Sequence, residues 1–262
     1  MPCRWKKERD DKMLKDDLRG MWAIMLKDLR AYYLKPPNIN WGILLPFAFV
    51  LAFVIRDGVT LGGASNDLAN LTPGLLALTL LFSASSMETI VITFERRIGA
   101  LERLLLAPLR LPAMLAGKLL GGVVFGLVTT LAVLLVALLI FGVSGINWPL
   151  LVAAMILSAT AFGALGALIS VAVKEVFEAQ TLANAFRFPM MFLGGVFTPV
   201  ASMPLGLQIV ARALPLTYAV EALDTAIRGG PTSLALLDLS VLTGFSALFF
   251  GLAVWVLARR VT

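Results

Sequence analysis

The sequence predicts an all-α integral membrane protein. Six transmembrane helices follow an N-terminal interfacial amphipathic helix, with re-entrant outer helices between spans five and six. Three observations point there. Of 262 residues, 59% are hydrophobic and only 15% are charged, against about 25% charged in soluble domains. Mean hydropathy is +0.90. Several apolar runs approach the ~20 residues that cross a bilayer as a helix, and none has the short alternating pattern of a transmembrane barrel strand. Finally, lysine and arginine collect at one set of loop ends.

Residues 1–12 are polar, and 13–35 read as an amphipathic helix. Leu14, Leu18, Met21, Trp22, Met25, Leu29 and Tyr32 share one face, with Asp16, Lys27, Asp28 and Arg30 opposite. The segment is too charged to span. It is expected in the cytoplasmic interface, with Trp22 and the tyrosines at headgroup depth. Pro36-Pro37 ends it. Residues 1–37 thus form a cytoplasmic N-terminal unit, and 38–262 the six-span domain. The spans fall at about 39–55, 68–94, 113–141, 149–173, 179–198 and 234–257. The first is short and contains Pro46, which favours a kink or a thin crossing.

Orientation follows from the loops. With alternating crossings, one side receives seventeen lysines and arginines and the other only Arg56, Arg212 and Arg228. The positive-inside rule puts both termini in the cytoplasm of a cell that carries the chain in its plasma membrane. The same topology accounts for the net charge of +6, so no nucleic-acid partner is invoked. Residues 199–233 are neither a span nor an ordinary loop. They are apolar but broken by Pro199, Pro204 and Pro215. Two short helices dipping into the outer leaflet satisfy both features, provided their irregular backbone is buried against protein or a wet cavity.

The loop after span two is unusual. Residues 95–107 carry Ile98, Leu101, Leu104 and Leu105 on one side and Glu95, Arg96, Glu102 and Arg103 on the other. The two charged pairs repeat at i, i+7, as on an ordered helical surface. A simple turn needs no such helix; a docking surface for a soluble partner does.

Glu88, Lys118 and Arg187 lie within spans, each roughly 10 Å inside the cytoplasmic boundary at 1.5 Å per residue. A charge at that depth is costly unless paired or hydrated. Matched depth nominates Glu88 and Arg187 as a pair. They form either a polar ring at the inner mouth of a pathway or a structural ion pair, with Lys118 snorkelling. Gly117-x-x-x-Gly121 and Gly122-x-x-x-Gly126 permit close helix approach, within the chain or between copies. Phe186, Phe188, Phe192 and Phe197 either line a path or face lipid and core.

Catalytic signals are weak. The chain has no histidine and a single cysteine, Cys3, which forms no intrachain disulfide and no metal site. The phosphate-binding Gly-x-x-x-x-Gly-Lys-Ser/Thr loop is missing. Ser83, Ser85 and Ser86 have no histidine partner. A secondary transporter would show internal repeats and acids at the midplane, and neither is found.

Two motifs carry a family resemblance. One is Glu95-Arg96-Arg97-x-Gly99-x-Leu101-Glu102-Arg103-Leu104-x-x-x-Pro108. The other runs from Gly194-Gly195-x-x-x-Pro199-x-x-x-x-Pro204 through Pro215-Leu216-Thr217-Tyr218-x-x-Glu221-Ala222 to Arg228-Gly229. With these the chain resembles the membrane subunits of ABC-2-type ATP-binding-cassette exporters over nearly its whole length. It departs where the family often has a serine before a single glycine and this chain has Gly194-Gly195.

The resemblance implies that 95–107 is a coupling helix seated in a groove of an ATPase, with a second contact at Lys174-Glu175-Val176-Phe177-Glu178. It implies two membrane subunits with two ATP-binding-cassette ATPase subunits. ATP and Mg would sit on the ATPase and no cofactor in this chain. Helix 13–35 would act as a gate, and substrate would leave past the re-entrant region around Pro199, Pro204, Pro215, Tyr218 and Glu221. The aliphatic, Phe-rich spans and only three tyrosines favour a hydrophobic or amphipathic substrate (drug, lipid or lipid-linked glycan). A polysaccharide-type exporter subunit or a secondary active transporter is the alternative.

Overall fold

The computed structural model describes residues 2–33, 66–107, 109–141 and 145–261, with positions 48, 51, 52 and 55. Residues 39–55, expected as the first span, and the loop expected after them lie almost wholly outside the described residues. Within them, all regular structure is helical.

Helix α1 (Pro2–Asp28) continues into a π-helical turn, Leu29–Tyr33. It therefore starts well before residue 13, and the polar segment 1–12 is helical from Pro2. α2 (Asn66–Arg97) is followed by the short α3 (Ala100–Leu105), then α4 (Leu111–Phe141) and α5 (Trp148–Ala172). α6 (Val176–Leu193) leads to a 3₁₀ turn at Val200–Ser202. The pair α7 (Leu205–Arg212) and α8 (Pro215–Arg228) precedes α9 (Thr232–Val261).

Four of these helices are long and apolar enough to cross a membrane: Leu71–Arg97, Leu111–Leu139, Trp148–Ala172 and Thr232–Arg260. The fifth expected span is not among them. α6 is 18 residues long, holds Arg187 and Pro189, and stops at Leu193 rather than 198. Gly195, at φ 83°, turns the chain in a conformation that only glycine adopts without strain.

α2 is the central helix. It packs against α4, α5, α6 and α8 and is almost wholly enclosed, whereas α9 leaves most of its length open. A buried helix rich in serine and threonine must satisfy its hydroxyls. Those of Thr79, Ser83, Ser85, Thr89 and Thr93 each donate to the carbonyl four residues back. The small residues of α4 and α5 are filled from inside the chain. Gly117 faces the Met21 backbone, Gly121 the Tyr33 ring, Gly126 Ala84 and Gly166 the Ser85 backbone. Of the two uses open to the Gly117–Gly126 pattern, the structure shows packing within the chain.

Region 199–233 does hold two short helices. Pro215 starts α8, where its missing N–H costs nothing. The elbow between them is tied by Thr217 Oγ1 donating to Ala211 O at 2.6 Å and Tyr218 OH donating to Arg212 O at 2.7 Å. α8 is buried along Leu216, Val220 and Leu223, while α7 exposes Leu205, Leu207 and Ile209.

Candidate functional site

The end of the bundle expected to face the cytoplasm is built around the break between α2 and α3. α2 runs through Glu95 and Arg96 to Arg97, and the chain reverses at Gly99, φ 69°. The expected single helix 95–107 is thus two pieces, and only Ala100–Leu105 forms the separate one. The reason is local: Gly99 adopts the left-handed region, and Gly99 N–H closes the turn on Arg96 O at 3.1 Å. α3 is anchored by Leu101, buried in a cluster with Ile92, Met114, Leu115, Val171 and Leu257. Arg97, Ile98, Glu102 and Arg103 are exposed. Ile98 therefore faces outward, not into the apolar seam expected of it.

Glu95 and Arg96 are structural rather than displayed. Arg96 Nη1 donates to Val173 O at 2.6 Å and Ser170 O at 3.3 Å, closing the C-terminal end of α5. Arg260 Nη2 reaches Ala172 O at 2.5 Å from the end of α9. Two guanidiniums thus meet the negative end of the α5 dipole. Arg260 escaped the sequence reading; its signal was a basic pair in the last turn of a span. Beside these, Arg96, Leu101, Glu102, Lys174 and Arg260 line a cleft of about 530 Å³. The structure thereby joins two stretches that were expected to contact a partner. Across the short turn, Glu175 precedes α6 in extended conformation. Glu178 is exposed, and Phe177 projects with 83% of its surface free.

Glu95 is buried and belongs to a charge cluster. Lys118, from α4, contacts both Glu95 and Asp28, the latter at 3.1 Å, with all three essentially inaccessible. Lys27 reaches Glu95 and Asp28 from the rim. Burial pulls the Lys27 ammonium down, but hydrogen bonds to Asp28 and Glu95 outweigh it and leave the group above its ordinary value. Lys118 therefore does not snorkel. Of its two partners, Glu95 belongs to α2, and Asp28 comes from α1, on the stripe Asp17, Met21, Ile24, Asp28, spaced i, i+4, i+7, i+11. Asp17 accepts from the backbone N–H of Arg110 at 3.4 Å and lies 3.7 Å from its guanidinium. The face of α1 toward the bundle is thus the one with Asp17 and Asp28, while Leu18 and Trp22, 60% accessible, point away.

Glu88 and Arg187 are buried but do not pair. Glu88 Oε1 accepts from Tyr33 OH at 2.9 Å and Gly122 N–H at 3.0 Å. Arg187 donates to Ser85 Oγ at 2.8 Å, Asn184 Oδ1 at 3.2 Å and Thr89 Oγ1 at 3.4 Å. The two side chains meet different sides of α2. Equal depth fixed their height but not their azimuth. Exchanging them by Glu88→Arg with Arg187→Glu should recover no folded yield over either single variant, as size-exclusion profiles will show. Glu88→Gln should stay within about 1 kcal/mol of the parent, because an amide oxygen still accepts both bonds.

At the opposite end of the bundle, Pro199 and Pro204 flank the 3₁₀ turn. Glu221 Oε2 accepts from Arg212 Nη1 at 2.6 Å, which raises the guanidinium's proton affinity above its ordinary value.

The profile of the ABC-2 type transporter family matches residues 19–227. Nodulation protein J of Sinorhizobium fredii (strain NBRC 101917 / NGR234) is 29% identical, covering 73% of this chain and 74% of that protein. The inner membrane transport permease YadH of Escherichia coli (strain K12) is 25% identical over 72% of this chain and 74% of its own. The daunorubicin resistance ABC transporter permease protein DrrB1 of Streptomyces coeruleorubidus is 24% identical over 81% and 75%.

Proposed function

The chain belongs to the ABC-2 type transporter family, and from that premise we propose that it is the membrane-spanning subunit of an ATP-driven exporter energised by a separate ATPase. The cleft that brings Arg96 and Glu102 beside Lys174 carries the reading. Exposed Arg103 and Phe177 lie close in sequence to its lining residues Glu102 and Lys174, and Arg96 and Arg260 in its wall hold the ends of α2, α5 and α9 together. A partner that pushes on α3 would act on a surface rigidly joined to three long helices.

In this reading two copies of the chain assemble with two ATP-binding-cassette ATPase subunits, which bind ATP and Mg. Span 39–55 and α6 bring the crossings to six, both termini are cytoplasmic, α1 acts as the gate, and substrate leaves past the re-entrant region 199–233. The cargo is a hydrophobic or amphipathic molecule. The apolar bundle supports that, as does a relative named for daunorubicin resistance.

Reversing charge by Glu102→Lys or Arg103→Glu should cut co-purification with the ATPase, and ATP turnover stimulated by this chain, by about tenfold. Folded yield should hold, because both side chains are exposed and surface changes rarely exceed ±0.5 kcal/mol. Robust hydrolysis by the lone chain, or unaltered stimulation by both variants, would overturn the reading.

A further inference from the structure

A larger cavity, of about 670 Å³, lies at the opposite end of the bundle from the α3 cleft. That size suits a drug-like ligand. Its walls are largely apolar, formed by Leu71, Val196, Phe197, Val220, Leu234 and Leu237. Five ionisable side chains also line it: Arg212, Glu221, Asp224, Arg228 and Asp238. Arg212 is bonded to Glu221 at 2.6 Å, and Arg228 bridges Asp224 at 2.9 Å.

Asp238 is different. It is only 6% accessible, yet it makes no hydrogen bond or ion pair among the described residues. Arg212 also acts on Asp238 through space, but each arginine is bridged to another acid, so the described lining of the chamber holds three carboxylates against two guanidiniums beside an apolar wall. A carboxylate so placed is costly without a cation. A metal ion fits poorly, since no group of three acidic or other ligating side chains among the described residues is placed to hold one.

We propose that this outer cavity binds a monovalent organic cation with an apolar body. The charged centre sits against Asp238. The body lies on Leu234 and Leu237, in the cavity whose wall also includes the Phe197 ring. The idea rests on the exporter reading only in naming what travels; binding itself requires neither ATP nor the ATPase.

Tetraphenylphosphonium and tetraphenylborate have the same shape and opposite charge. Their binding to the full chain in lipid nanodiscs, corrected by empty discs, tests the proposal. The phosphonium should bind saturably and at least tenfold tighter than the borate. Asp238→Asn should weaken it at least tenfold, about 1.4 kcal/mol, and Asp238→Glu should retain it. Leu234→Trp, at a position 58% accessible, should block the chamber without touching its charge. Should Asp238→Asn fail to fold, Leu234→Trp decides: lost binding supports the site, and unchanged binding overturns it. Equal affinity for the two ions, or phosphonium binding indifferent to Asp238→Asn, also overturns it. Neither result would touch the exporter reading, which stands or falls on ATP turnover stimulated through α3.

Discussion

Lys118→Met is expected to lower the stability of the folded chain by about 3–5 kcal/mol, the usual cost of removing one partner from a buried ion pair. Lys118 is the hub of a cluster drawn from three helices, meeting Asp28 of α1 and Glu95 of α2. Without it, two buried carboxylates share the single partly exposed Lys27. Glu95→Gln in the same background leaves one acid and one base. That double variant should recover a substantial part of the loss, giving a coupling above 1 kcal/mol in a double-mutant cycle. The measurement is thermal unfolding of the purified chain in mild detergent. If the double variant is no more stable than Lys118→Met alone, Glu95 and Lys118 are not energetically linked.

The cluster also joins the proposed gate to the proposed coupling surface. Glu95 lies two residues before the end of α2, and the reversal into α3 follows directly. α1 is fastened to that end through Lys27, to α4 through Asp28 and Lys118, and to the residue just before α4 through Asp17 and Arg110, while the turn after α1 is tied to α2 through Tyr33 and Glu88. A displacement of α3 would reach α1 through salt bridges and hydrogen bonds instead of through lipid.

Much of this was legible in the residues. Four apolar runs became four long helices because span length and composition are set by the bilayer itself. The prolines at 199, 204 and 215 correctly located two short helices, since proline fixes where a helix begins. Other features were legible in kind but not in detail. Depth along a span predicts which charges are buried, but partner choice depends on rotation about the helix axis. Glu88 therefore found Tyr33 and Gly122 rather than Arg187. On α1, hydrophobicity alone set the face off by part of a turn: Met21 and Met25 do lie toward the bundle, but Leu18 and Trp22 do not, because the bundle supplies Lys118 and Arg110 as counter-ions and so buries Asp17 and Asp28. The periodicity of 95–107 ran smoothly through Gly99, and only backbone conformation reveals that the helix breaks there.

The second large effect concerns the α2–α5 contact. Gly166 lies directly on the Ser85 backbone, where an added Cβ would collide with main-chain atoms of α2. Main chain inside a helix cannot swing aside as a flexible side chain does, so Gly166→Ala must push α5 and α2 apart. Overpacking of this kind costs about 1–3 kcal/mol, and more when backbone shifts propagate. Here it would also disturb Thr89, whose hydroxyl donates to Ser85 O at 2.7 Å and reaches Gly166 O at 3.4 Å. Gly121→Ala is the matched control. Its Cβ would meet the Tyr33 ring at 3.4 Å, an ordinary contact, while helix propensity gains up to about 1 kcal/mol. Both substitutions enjoy that gain, so their difference isolates the clash. Gly121→Ala should unfold at or slightly above the parent temperature and Gly166→Ala well below it. If the two variants melt together, α2 and α5 do not approach as closely as the structure places them.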